Sequence, residues 1–71
     1  MSSKIREKFS KRLIQIRKER NLTQEDLALL CNVDRTYIGR LERLERNPSL
    51  EILYKIARGL KMTLSELLNF K

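Results

Sequence analysis

Thr23-Gln24-Glu25-Asp26-Leu27-Ala28-Leu29-Leu30-Cys31-Asn32-Val33-Asp34-Arg35-Thr36-Tyr37-Ile38-Gly39-Arg40-Leu41 is the stretch on which the fold turns. Thr23 is a good cap for the amide end of a helix, and Glu25 and Asp26 place negative charge in its first turn, where the helix dipole favours it. The spacing predicts a short helix over about 24–31. Asn32 tolerates the left-handed conformation that stops it, and Asp34 caps a further helix running to about Arg43. Two short helices separated by so few residues form either an ordinary helical hairpin or a helix-turn-helix. Side-chain spacing decides for the second. Counting from Gln24, a small Ala28 stands four residues later, Asn32 eight, Ile38 fourteen and Leu41 seventeen. Ala28 lets two helices cross closely, Asn32 accepts positive φ, and Ile38 and Leu41 anchor the third helix to a core. With those two turned inward, Arg35, Thr36, Gly39, Arg40 and Arg43 share the opposite face, and Gly39 leaves room for a close approach.

Outward from this unit the apolar residues keep a helical period. Ile5, Phe9, Leu13 and Ile16 make a stripe on a first helix expected over about Ser3 to Arg20, stopped at Asn21 and strongly basic on its other face. After a polar loop, Leu44 to Pro48, Ser49 caps a fourth helix whose stripe is Leu50, Leu53, Ile56, Ala57 and Leu60, ending near Gly59. Thr63 and Glu66 form a capping box that opens a last helix through about Phe70. The expected fold is all-α: a compact five-helix bundle, one domain over residues 1–71, without strands, repeats or linker.

Seventy-one residues bury only about 60% of the unfolded surface, so the core is thin and outside support is expected. The single cysteine, Cys31, cannot bridge internally, and with no histidine there is no metal-ligand cluster of the usual spacing. Cys31 reads as a buried small hydrophobe, and one thiol suits a reducing compartment. Self-association is then the expected source of extra stability. Leu64, Leu67, Leu68 and Phe70 give the final helix more apolar surface than a thin core covers, and they are assigned to a homodimer interface, with Leu67 and Phe70 toward the partner and Leu64 and Leu68 inward. No apolar run can span a bilayer, and Met1-Ser2-Ser3-Lys4 leads into charged residues instead of a signal-peptide core, so a cytoplasmic protein with no membrane partner is expected. Sixteen Lys and Arg against nine Asp and Glu leave +7, which favours a polyanion. The chain has no histidine for general-base work, no glycine-rich phosphate loop and no carboxylate pair in an evident pocket, so catalysis and a cofactor are not expected.

The sequence resembles the Cro/repressor-type helix-turn-helix family, which has the lambda-repressor-like DNA-binding fold, and specifically the small controller proteins of restriction-modification systems. The resemblance covers nearly the whole chain: Leu22-Thr23-Gln24-Glu25-Asp26-Leu27-Ala28, Asp34-Arg35-Thr36-Tyr37-Ile38, Leu41-Glu42-Arg43, Arg46-Asn47-Pro48-Ser49-Leu50-Glu51 and Lys55-Ile56-Ala57. It implies a homodimeric transcription regulator on a roughly palindromic operator, with the third helix in the major groove. There Arg35 is placed to read guanine and Thr36 a base or a thymine methyl, with Tyr37 and Arg40 as further readers. Gln24 is implied as a phosphate ligand at a helix amino end, joined by Arg17, Arg43, Arg46 and Asn47. RNA polymerase is an implied partner where such a protein activates. Tyr37 has the alternative of lying against the core or a phosphate, and Arg46 that of a surface pair with Glu42 four residues before it. A phage-type repressor or an antitoxin shares the domain, and a helical protein-interaction module is the reading of another class. One departure stands out: Leu44 occupies a position where the family often has glycine.

Overall fold

The computed structural model describes residues 4–70. Four helices begin at the caps that the sequence names. Thr23 and Asp26 close a reciprocal box, the Thr23 hydroxyl accepting from the Asp26 amide at 3.0 Å and the Asp26 carboxylate from the Thr23 amide at 2.9 Å. Those bonds hold the Asp26 carboxyl below its usual range. Asp34 and Ser49 cap singly, and Thr63 with Glu66 forms a second box. The order is α1 (Lys4–Glu19), α2 (Gln24–Cys31), α3 (Arg35–Glu42), α4 (Leu50–Gly59) and α5 (Leu64–Leu67). The expected start at Ser3, like Met1 and Ser2, lies outside the described residues. α5 stops at Leu67, short of the expected Phe70.

Asn21 and Asn32 take the left-handed conformation, with φ of 57° and 56°. Leu44 does too, at 66°, and for a residue with a β-carbon that costs about 1–2 kcal/mol. Gly59 plays a different part from the one its position suggests. It remains helical, and the left-handed residue after α4 is Lys61, φ 58°. A β-carbon on Gly59 would stand 2.7 Å from the Cys31 Cα, the Cys31 Sγ and the Leu30 carbonyl oxygen. The glycine is there because α2 and α4 touch backbone to backbone.

Phe9, Leu13, Ile16, Leu27, Ala28, Cys31, Ile38, Leu41, Ile56, Ala57, Leu60 and Leu67 form the core. Cys31 sits within it, its thiol directed at the Ile56 carbonyl, 3.6 Å away, and burial pushes its pKa up to about 11. Two expected core residues are outside. Leu50 is 71% exposed, because it lies about 70° around α4 from the middle of the buried stripe. Ile5 is 64% exposed; in the first turn of α1 it reaches only the rim of an open apolar groove shared with Phe9, Leu53, Leu68 and Phe70. Among the described residues, no helix is long and apolar enough to cross a membrane.

Candidate nucleic-acid interface

α3 is fastened from beneath. Ile38 and Leu41 are buried, and the Ser10 hydroxyl of α1 donates to the carbonyl oxygen of Glu42 at 2.8 Å, satisfying an acceptor at the helix end. The Glu42 carboxylate is the centre of this joint. It accepts from Arg17 Nε at 2.7 Å and Arg17 Nη2 at 3.0 Å, a two-pronged pair, and from Gln24 Nε2 at 2.9 Å. Arg17 Nη1 also donates to the Leu22 carbonyl at 3.0 Å. The Glu42 carboxylate thus ties α1 and the first residue of α2 to the last of α3, and Arg17 adds the α1–α2 turn.

The outer side of α3 is open. Arg35, Thr36 and Arg40 are exposed, and Arg35, Thr36, Gly39, Arg43 and Gln24 line one shallow depression. Gly39 is covered by its neighbours: a β-carbon there would meet Arg43 Nη1 at 3.1 Å and Gln24 Oε1 at 3.4 Å. The absent side chain therefore makes room for those two side chains. Arg43 donates to Glu45 at 3.1 Å and 3.3 Å, and this bonding holds the Glu45 carboxyl below its ordinary value. Both partners are over half exposed, so the pair adds little stability.

Tyr37 is half-buried against the core, and its hydroxyl donates to the Asn47 carbonyl at 3.4 Å. The Arg46 guanidinium lies 5.9 Å from the centre of its ring. Tyr37 thereby holds the α3–α4 loop, with Arg46 and Asn47, beside α3.

Three expectations are corrected. Arg17 is not available to a phosphate: its side chain is 14% exposed and spent on Glu42, itself 5% exposed. The Glu42–Arg46 pair does not form, because α3 ends at Glu42 and that carboxylate faces α1. Leu67 cannot face a partner, having no exposed surface at all; it points into the core, whereas Leu68, expected inward, is exposed. Leu64 and Phe70 are half-buried against the core. The Arg17–Glu42 joint escaped the sequence reading, although an arginine four residues after the core residue Leu13 stands at the edge of a buried stripe.

A polar, arginine-bearing helix held on a helix-turn-helix, with a second helix presenting its amino end beside it, defines a DNA-binding class of domain. The chain belongs to the helix-turn-helix family, matched over residues 13–67, and within it to the control proteins of restriction-modification systems. It is 41% identical over 71 residues to the control protein C.BamHI of Bacillus amyloliquefaciens, covering 99% of this chain and 88% of that one. It is 45% identical over 64 residues to the control protein C.MunI of Mycoplasma sp, covering 89% and 86%. Among solved structures it is similar to the restriction-modification controller protein C.Esp1396I, seen as a tetramer on its natural 35 base-pair operator. That match has a TM-score of 0.85 at 40% identity and covers 94% of this chain and 92% of that one.

Proposed function

We propose that this protein is the transcriptional regulator of a restriction-modification system, binding duplex operator DNA as a homodimer with α3 in the major groove. The observation that carries the reading is the depression shared by Gln24, Arg35, Thr36, Gly39 and Arg43 on the outer side of α3. Arg35 and Thr36 project from the first turn of α3, where base edges come within reach; Arg35 pairs with guanine O6 and N7, and Thr36 and Arg40 meet neighbouring bases. Gln24, held by Glu42, presents a phosphate ligand beside the amide end of α2, and Arg43, Arg46 and Asn47 extend the backbone contact along the groove. Tyr37 acts by holding the loop that carries the last two.

Leu50, Tyr54 and Leu64 flank a shallow apolar groove on the α4–α5 side, and we assign this face to the two-fold contact; Leu68 and Phe70 line the separate groove with Ile5, Phe9 and Leu53. The body measures 32 × 24 × 23 Å. A two-fold pair reading successive major grooves has its α3 helices one DNA turn, about 34 Å, apart, close to the long dimension of one body. The dimer acts in the cytoplasm, repressing where it blocks polymerase and activating where it contacts it.

The test is Arg35→Ala, measured against an operator recovered by selection from random duplexes and against random duplex. Specific affinity should fall by about 1–3 kcal/mol with discrimination relaxed at one base pair per half-site, while random-duplex affinity barely changes. Equal losses on both would make Arg35 a phosphate ligand and refute the reader assignment.

A further inference from the structure

The positive charge of this chain has a second concentration that the recognition surface does not use. Lys4, Lys8, Lys11, Gln15 and Lys18 recur at the spacing that puts them on one side of α1, and all five are exposed. Glu7 and Glu19 lie on the flanks of this row, each about 60° from its middle. Gln15 Nε2 donates to Glu19 at 3.1 Å, and neither ion pair described above engages any of the four lysines. Lys4 to Lys18 span about 21 Å at 1.5 Å per residue, the length of several backbone phosphates. Beside the row, Lys8, Lys11, Arg12 and Gln15 line a shallow cleft with Asn69 and Phe70. Arg12 Nη2 donates to the Glu66 carbonyl at 2.8 Å, and the buried Arg12 Nε has no hydrogen-bond partner among the described residues.

The row faces away from α3. α1 meets α3 through Ser10 and Arg17, and the middle of the lysine row lies about 130° around the helix from that edge. A duplex seated on α3 therefore leaves the row in solvent. It is also apart from Leu50, Tyr54 and Leu64, so self-association on that face leaves it open.

We infer that the lysine row of α1 is a second, sequence-independent surface for duplex DNA, holding another segment while α3 reads its operator. The inference rests on the DNA-binding reading of α3. Its chemistry favours phosphate over protein. Protein interfaces are depleted in lysine and built around aromatic and arginine anchors, and the middle of this row carries neither. Lysines act as flexible point charges on a polyanion, and their gain comes from released counterions. A membrane surface is disfavoured because the apolar side of α1, with Phe9, Leu13 and Ile16, is consumed by the core.

The experiment saturates a labelled duplex, the selected operator, with protein and measures its capture on beads carrying random duplex. The wild type is compared with the triple variant Lys8→Gln, Lys11→Gln, Lys18→Gln, and with the corresponding triple arginine variant. Glutamine keeps helix propensity at exposed sites, so the fold is retained. Capture should fall at least about tenfold in the glutamine variant and return in the arginine variant, with operator affinity within about threefold of wild type and capture steeply salt-dependent. Unchanged capture overturns the inference, since bridging would then come from the two recognition helices. Operator affinity falling in step with capture overturns it too, by placing the row in the primary contact. Competition by poly-glutamate at lower concentration than by duplex would reassign the row to an acidic protein. If the wild type prefers no duplex over random sequence, the reading of α3 fails instead; direct binding of random duplex by wild type and glutamine variant then still decides the row.

Discussion

Replacing Glu42 by Gln tests the joint on which α3 stands. The substitution keeps the shape and one acceptor, but removes the charge that faces Arg17 at 2.7 Å and 3.0 Å. The Arg17 side chain is only 14% exposed, so its guanidinium would be left largely desolvated without a counter-charge. Breaking a buried pair in this way typically costs 3–5 kcal/mol. Partial access to water and the amide oxygen of the new side chain reduce that, and about 3 kcal/mol is expected. For a domain with roughly 0.05–0.15 kcal/mol of stability per residue this is a large share of the total. In a chain of this size it lowers Tm by about 12–24 °C. The assay is urea and thermal unfolding followed by helical circular dichroism at one protein concentration, since association shifts apparent stability. The double variant Arg17→Met, Glu42→Leu removes both charges and should recover at least half of the loss, because what destabilises is the orphaned cation and not the missing pair. A single variant within about 0.5 kcal/mol of wild type would refute the claim that this carboxylate holds the helices together. A double variant as unstable as the single would show that hydrogen bonds to Gln24 and Leu22, not the charge, carry the effect.

Other outcomes follow from the geometry. Gly39→Ala should leave stability equal or raised by up to about 1 kcal/mol, since alanine favours the helix and the crowded neighbours are flexible side-chain ends; operator affinity should nevertheless fall about tenfold or more as Arg43 and Gln24 are displaced, and loss of both together would assign Gly39 a purely structural role. Leu50→Glu should cost little in helical content, the side chain being mostly exposed; sedimentation should report a monomer at micromolar concentration with operator binding weakened by at least about two orders of magnitude, and an unchanged dimer would remove Leu50 from the interface. Cys31 gives a pH signature. Its folded-state pKa, about 11, lies above the usual value near 9, so its contribution is whole below pH 9 and is lost as pH rises from 9 toward 11, by about 1–3 kcal/mol. Unfolding curves of wild type and Cys31→Ala across that window should converge; parallel curves would contradict the burial of the thiol.

What the sequence determined by itself was the set of features decided within a few residues. Thr23, Asp34, Ser49 and Thr63 start helices because a short oxygen-bearing side chain reaches amides two or three positions on, and Asn21 and Asn32 stop them because asparagine tolerates positive φ. Helical period alone put Ile38 and Leu41 inside and left Arg35, Thr36 and Arg40 outside, so the exposed face of α3 was legible from spacing. The tertiary structure decided whatever depends on which neighbour covers a given edge of a helix. Leu50 and Ile5 share their stripes with buried residues, but stripe edges and end turns are covered only if another element reaches them. Leu67 and Leu68 exchanged their expected places for a related reason: with two apolar residues in succession, period does not say which one meets the core, and the packing of α5 on α4 does. Arg17 and Glu42 are twenty-five residues apart in sequence, and nothing local distinguishes a phosphate-seeking arginine from one paired across a helix joint. Gly59 likewise looks like a helix stop in sequence, and only the contact of α4 with the backbone of Cys31 reveals that it is needed for its missing side chain.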